Sequence, residues 1–325
     1  MKISRTTDRN HPPDGCGSAQ VARSVSTMLE VRNLNRSFSG HQVLHDLSMT
    51  VADGRMTGFV GGNGAGKTTT MRIIMGVLEA DSGEVLIDSH TTSTAQRAQF
   101  GYMPEERGLY AKMPLREQLI YLARLHGVSA HDASTSTDEL LDELGLSERA
   151  AEPVENLSLG NQQRAQVAAA IVHHPTALIL DEPFSGLDPF AVDVVLGVLQ
   201  RISDTGIPVL FSSHQLDVVE RLCEDLVIIS DGHIVAAGER EELREQYSDR
   251  SFEIEVSGDC GWIRDMPGIE VSALEGGFAR FSALDEQAEQ RVVEQALHRR
   301  DVAGQLLHFG PIVPSLAQIF KEVIE

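Results

Sequence analysis

The chain has 325 residues, with 27 Lys+Arg against 48 Asp+Glu and a formal net charge of −21. That length suits about two domains, and 42% hydrophobic residues exclude a wholly disordered chain. The acidic balance repels phosphate backbones, so nucleic acid is not expected as a partner. No run suits a membrane-spanning helix. Residues 165–180 are interrupted by His173-His174-Pro175, and residues 302–320 by Gly310-Pro311, Pro314, Gln305 and His308. Any membrane role therefore needs another polypeptide to cross the bilayer. Cys16, Cys223 and Cys260 form no CxxC pair. They read as buried, inert thiols in a reducing cytosol, not as a disulfide framework or zinc ribbon.

Residues 1–27 are polar, contain Pro12-Pro13 and lack an apolar h-region. They read as a disordered tail rather than a secretory signal, with Met28 a candidate start. Leu29, Val31 and Leu34 open a strand, and residues 43–51 supply another. Residues 56–60 form a short apolar strand that runs into glycines. A helix is expected over 68–78, with Ile73, Ile74, Val77 and Leu78 as its apolar residues. Strand, glycine-rich loop and helix in that order open an α/β nucleotide-binding fold.

Residues 105–165 read as mostly helical. Leu115, Leu119, Leu122 and Leu125 recur at helical spacing; Thr137 is expected to cap the helix carrying Leu140, Leu141 and Leu144, and Gly145 to stop it. His173-His174 are taken as helix-end residues before Pro175, not as metal ligands. Residues 177–180 and 209–212 are short buried strands. Asp231-Gly232 joins 226–230 to 233–236 as a hairpin. Beyond about residue 245, Phe252, Ile254 and Val256 alternate with Glu253 and Glu255. A weaker strand over 278–281 puts Phe278 and Arg280 on one face. Helices over 285–300 and around Leu316, Ile319, Phe320 and Val323 complete a small α+β unit.

Gly61-Gly62-Asn63-Gly64-Ala65-Gly66-Lys67-Thr68 fits the phosphate-loop pattern G-x-x-x-x-G-K-[ST]. Phosphate oxygens must approach backbone N–H groups closely, which favours glycine. The following helix offers unsatisfied N–H groups and its positive dipole end. Lys67 reaches the β- and γ-phosphates, and the Thr68 hydroxyl, with Thr69 beside it, faces Mg²⁺. Residues 177–182 form an apolar strand ending in two carboxylates. Ligands of a parallel sheet lie at the strands' carboxyl ends. Asp181 is therefore expected to hold Mg²⁺, and Glu182 to orient or deprotonate the water attacking the γ-phosphorus.

A third motif carries a family resemblance. Leu157-Ser158-Leu159-Gly160-Asn161-Gln162-Gln163-Arg164 resembles the LSGGQ signature of ABC-type ATPases. Ser185-Gly186-Leu187-Asp188 resembles their D-loop and Gly101-Tyr102-Met103-Pro104-Glu105 their Q-loop, and His214 stands at the switch-histidine position. Phe38 stands where an aromatic stacks on adenine. Residues of about 29–240 are thus similar to a complete ABC nucleotide-binding domain. The resemblance implies an α/β P-loop NTPase of ABC type with a helical subdomain, plus a small C-terminal α+β domain. The expected division is a tail over 1–27, the ATPase over 28–242 and the extension over 243–325.

The resemblance also implies ATP and Mg²⁺ as cofactors. Lys67, Glu182 and His214 would act in catalysis, with Thr68, Asp181 and Glu105 at the metal. The nucleotide set would be Phe38, Gly61, Asn63, Gly64, Ala65, Gly66, Lys67, Thr68, Thr69 and Glu105. Ser158, Gly160, Gln162 and Asp188 would join it, Ser158 and Gly160 reaching the γ-phosphate in trans across a head-to-tail homodimer. Three residues depart from the family pattern: Leu159 replaces a glycine, Asn161 a glutamine and Glu105 a glutamine. Residues 104–110 look like those of bacterial ABC-2-type exporter ATPases, including sodium-efflux-like ones, which often carry a small C-terminal extension. This implies permease membrane subunits as partners, docking by a coupling helix at Met103 and residues 108–115. It also implies a cytoplasmic protein peripheral on the inner face of the cell membrane. The alternative is a soluble regulatory or nucleotide-sensing ATPase. One nucleotide domain, and no room for a coiled coil between Lys67 and Ser158, set it apart from translation-factor and chromosome types. The extension carries no catalytic constellation and is expected to be structural or to regulate dimerisation.

Overall fold

The protein is described here from a computed structural model covering residues 28–106, 108–248, 250–300 and 304–324. The expected tail, with Cys16 and Met1, and Arg107 of the exporter-like stretch lie outside the described residues.

β1 (Leu29–Phe38) and β2 (His41–Val51) pair antiparallel. With β4 (Ser82–Ile87) and β5 (His90–Thr91) they form a four-stranded sheet in the order β2-β1-β4-β5. The apolar strand before the glycines is β3 (Met56–Gly61), buried at every residue. It sits inside a six-stranded sheet with β6 (Phe100–Met103), β7 (Ala177–Asp181), β8 (Val209–Ser213), β9 (Asp225–Ser230) and β10 (His233–Glu239), in the order β10-β9-β3-β8-β7-β6. All neighbours run parallel except β10, which pairs antiparallel with β9. The expected hairpin is present, and Asp231 and Gly232 both take positive φ, as a tight two-residue turn requires.

Alternation along β7 sends side chains to two apolar layers. Ala177 and Ile179 join Leu29, Leu34, Phe59 and Met71 between the two sheets, whereas Leu178 and Leu180 face the helical side. That second layer is covered by α3 (Leu115–Leu125), α4 (Ala130–Glu143), α5 (Leu159–Ile171) and α6 (Pro189–Ser203), with Leu115, Leu119, Leu141 and Val167 fully buried.

Two helix limits differ from expectation. α1 runs Lys67–Ile74 and does not reach residue 78. Gly76 takes φ 70, its N–H bonds Ile73 and that of Val77 bonds Arg72, a C-terminal wrap that ends the helix and leaves Val77 exposed. α4 is capped by Ser129, whose side chain accepts from Asp132 N–H. Thr137 is a buried mid-helix residue, so it is not the cap. Gly145, at φ 63, does follow the helix as its stop. The short helix α2 (Thr94–Arg97) carries a capping box at Ser93. After β8, α7 (Leu216–Leu222) precedes the hairpin and α8 (Arg240–Gln246) follows it.

The C-terminal unit is a four-stranded antiparallel sheet. Its strands are β11 (Ser251–Val256), β12 (Ile269–Glu275), β13 (Phe278–Ala283) and β14 (Leu306–Pro311), in the order β12-β13-β11-β14. α9 (Ala288–His298) covers one face, its Val292 and Ala296 joining Ile254, Val256 and Phe281 in one core. Phe278 and Arg280 share the outer face as expected, the guanidinium 5.5 Å from the ring centroid. β12 and β14 were not foreseen: β12 has no buried residue, and Gly310-Pro311 reads as a breaker although it ends an edge strand, where proline costs no ladder bond. The final helix, α10 (Leu316–Ile324), returns to the large domain, where Leu316 and Ile319 are buried in its core. Leu243 lies in that same core, so the expected 242/243 division falls inside α8. Cys223 and Cys260 are free and buried, and burial pushes both thiols up, Cys260 to about 11.

Candidate active site

The glycine loop joins β3 to α1 at the carboxyl end of the large sheet. Gly61 lies so close to β9 that a Cβ there would sit 2.5 Å from Ile229 O. Gly66 takes φ 112, and a Cβ would meet Leu44 at 2.6 Å. Glycine is therefore imposed at Gly61 by backbone packing and at Gly66 by its positive φ, as well as by phosphate approach. Lys67 folds back across the loop, donating to Gly61 O at 2.7 Å and Gly62 O at 3.1 Å. Burial lowers its pKa from the ordinary 10.5, against the opposing pull of Glu182, Asp181 and Glu105.

A chain of hydrogen bonds crosses the ends of β7 and β8. Thr68 Oγ1 donates to Asp181 Oδ2 at 2.7 Å. Ser212 Oγ donates to Asp181 Oδ1 and accepts Glu182 N–H at 2.9 Å. His214 Nδ1 lies 2.9 Å from Glu182 Oε1. Glu182 has φ 53, a left-handed conformation costing a non-glycine residue about 1–3 kcal/mol. Gln163 of α5 helps hold that bend, its amide donating to Glu182 O at 2.9 Å and Pro183 O at 3.1 Å.

Two joined depressions open here, of about 230 and 400 Å³, sharing Asn63, Glu105 and Glu182. The first also gathers Gly64, Gly66, Lys67, Thr68, Thr69 and Asp181. The second adds Gln163, Ser185 and His214. Gly61 and Ala65 do not line either depression; Gly61 O accepts from Lys67 Nζ and Ala65 O from Gly232 N–H. The Thr68 hydroxyl beside the Asp181 carboxylate is a hard oxygen pair that suits Mg²⁺, with Glu105 on the same wall. Among the described residues no three His, Cys, Asp or Glu side chains converge to hold a metal. A cation there would take its other ligands from phosphate and water, as Mg²⁺ commonly does.

The remaining expected residues do not line this cleft. Ser158 caps α5, accepting from Asn161 N–H, and Leu159 is 61% exposed. A Cβ on Gly160 would touch nothing closer than Leu187 at 3.7 Å. The Gln162 amide nitrogen donates to Val154 O and Leu157 O. Asp188 caps α6 through Ala191 N–H. Phe38 is 42% exposed at the end of β1, with the Arg36 guanidinium 4.8 Å from its ring centroid. His173 is buried, stacks on His126 at 3.9 Å and contacts Phe100 O; His174 bonds Ser136. Ser212 and Gln163 were not singled out from sequence. The available signals were a Ser-Ser pair closing an apolar strand and a second glutamine in the signature.

A parallel sheet whose glycine loop feeds a helix N-terminus, with Thr68 and Asp181 at the strand ends, defines a P-loop nucleotide-binding protein. Comparison with known proteins specifies the family. Residues 44–185 match the ABC transporter family and residues 238–324 the "ATP-binding protein DrrA1-3-like, C-terminal domain" family. The chain is 36% identical over 297 residues to the ABC transporter ATP-binding protein YhaQ of Bacillus subtilis, covering 91% of this chain and 98% of that protein. It is 32% identical to the linearmycin resistance ATP-binding protein LnrL of the same organism, covering 71% and 76%. Among solved structures, an ATP binding subunit of an ABC transporter superposes with TM-score 0.64 at 33% identity, over 68% of this chain and 93% of that one. The chain belongs to the ABC transporter ATP-binding proteins. No helix among the described residues is long and apolar enough to cross a membrane.

Proposed function

We propose that this chain hydrolyses Mg-ATP at the cleft described above and that it drives export through separate permease subunits. The observation that carries the reading is the hydrogen-bonded series Thr68, Asp181, Ser212, Glu182 and His214 beside the glycine loop. Backbone N–H groups of 61–68 and the start of α1 would receive the phosphates, and Lys67 would neutralise them. Thr68 and Asp181, with Glu105 nearby, would hold Mg²⁺, which supplies charge neutralisation on the phosphate oxygens. Glu182 would orient the attacking water and take its proton, while His214 holds the carboxylate in place.

Ser158 and Gly160 lie outside the cleft of their own chain, which fits a second copy supplying them head to tail. Hydrolysis by one subunit then depends on pairing. Beside Glu105 lies a cleft of about 340 Å³ lined by Met103, Gly108, Leu109, Arg97 and His173, where a permease coupling helix would dock. Such docking would put the chain at the cytoplasmic face of the membrane. The export direction draws on the 104–110 stretch and on LnrL, named for linearmycin resistance. The test is ATPase activity at saturating Mg-ATP across protein concentrations. Turnover per subunit should rise with concentration as pairs form; no turnover at high concentration would favour a nucleotide sensor.

A further inference from the structure

The C-terminal unit enters and leaves through one helix of the ATPase domain. α7 starts two residues after His214 and buries Val218, Val219 and Leu222. At the entrance, α8 grips its far end: Arg240 donates to Glu220 O at 2.6 Å, Arg240 N–H bonds Glu224 O, and Arg244 pairs with the Glu220 carboxylate. At the exit, α10 packs on α7 and β10. Leu316 and Ile319 are fully buried there, with Phe320 and Val323 against the same core.

His214 itself is weakly held. Its side chain is 55% exposed, and its one side-chain hydrogen bond among the described residues is to Glu182. Its placement therefore depends on the backbone at the start of α7. A seven-residue helix is too short to hold itself and takes its stability from tertiary packing. Two of its packing partners are the first and last helices of the C-terminal unit.

We propose that the C-terminal unit sets the position of His214 against Glu182 through α7, with Glu220, Arg244 and Ile319 as positioning residues. This rests on the reading of His214 as the group that holds Glu182. It gives the extension a hold on the hydrolysis step through α7, apart from the contact of the β9–β10 turn with the glycine loop at Ala65.

The test uses the full chain with Ile319→Ala, Arg244→Ala and Ile319→Val, and His214→Ala in parallel. Small displacements of a positioned group cost large factors in rate, so kcat should fall about tenfold in the two alanine variants while KM for ATP stays within about twofold. Ile319→Val should recover most of the rate. Adding Ile319→Ala to His214→Ala should cost nothing further in single-turnover hydrolysis, because both act through one residue. An equal loss in both backgrounds would mean a general structural role and overturn the proposal. So would unchanged kcat in both alanine variants while His214→Ala is slow. Unchanged turnover in His214→Ala would instead sink the reading of His214 itself.

Discussion

His214 Nδ1 and Glu182 Oε1 stand 2.9 Å apart across the ends of two neighbouring strands. The Glu182 side chain is 13% exposed and the His214 side chain 55%, so the pair has one sheltered and one open member. A carboxylate held this way can face a phosphate-bound water without swinging toward Lys67. Glu182→Gln keeps the shape and the His214 contact but cannot take a proton. Turnover should drop by about a thousandfold, with ATP binding retained. Light scattering should then show an ATP-dependent dimer; rapid hydrolysis by this variant would remove Glu182 from the role.

Ser212 links both carboxylate positions, donating to Asp181 and accepting from the Glu182 backbone. Its removal leaves a partly buried N–H without this acceptor and an Asp181 oxygen without its donor. Ser212→Ala should cost about 1–3 kcal/mol of stability. It should also slow kcat by about tenfold, because Glu182 loses an anchor for its strained backbone. Urea unfolding and steady-state kinetics on one preparation check both figures, and unaltered kcat would assign Ser212 to stability alone.

The glycine loop and the strand ending in Asp181 and Glu182 were legible because local demands impose those residue types, and His214 only through its place in the resemblance to ABC-type ATPases. The Ser212 and Gln163 contacts were not, because buried serines and glutamines satisfy many backbones and only the register of β7 against β8 pairs Ser212 with Asp181. Segment ends failed where tertiary packing overrode local signals. Thr137 has the chemistry of a cap, yet Ser129 begins the helix and Thr137 is enclosed. β14 was hidden because its alternation ends in Gly310-Pro311, and a breaker reads alike in a loop and at an edge. The return of α10 to the large core is a long-range event that no local pattern encodes.

Thr137 also supplies a stability test. It is fully buried in α4, and its hydroxyl has no hydrogen-bond partner among the described residues. Valine has nearly the same shape and helix preference without the polar atom. Thr137→Val should therefore raise unfolding free energy by about 1 kcal/mol. Urea denaturation would show a shifted midpoint at unchanged slope, and a lower midpoint would mean that the hydroxyl is satisfied in solution.

His173 gives the chain an acid-sensitive element. Burial is the main cause that lowers its pKa from 6.5 to about 4, with His126 stacked on it adding to the effect. The Nε2 contact to Phe100 O, at 3.3 Å, pulls the other way. As pH falls below 6.5 the unfolded chain takes a proton at this residue while the folded chain does not, until about pH 4. The unfolded state then binds more protons, so stability falls across that window and is complete above it. His173→Gln keeps a donor toward Phe100 O but removes the titration. The variant should lose less stability between pH 6.5 and 4 than the parent chain, measured by urea midpoints at each pH. Parallel pH profiles for the two proteins would show that His173 is already charged, or already open to water, in the folded state.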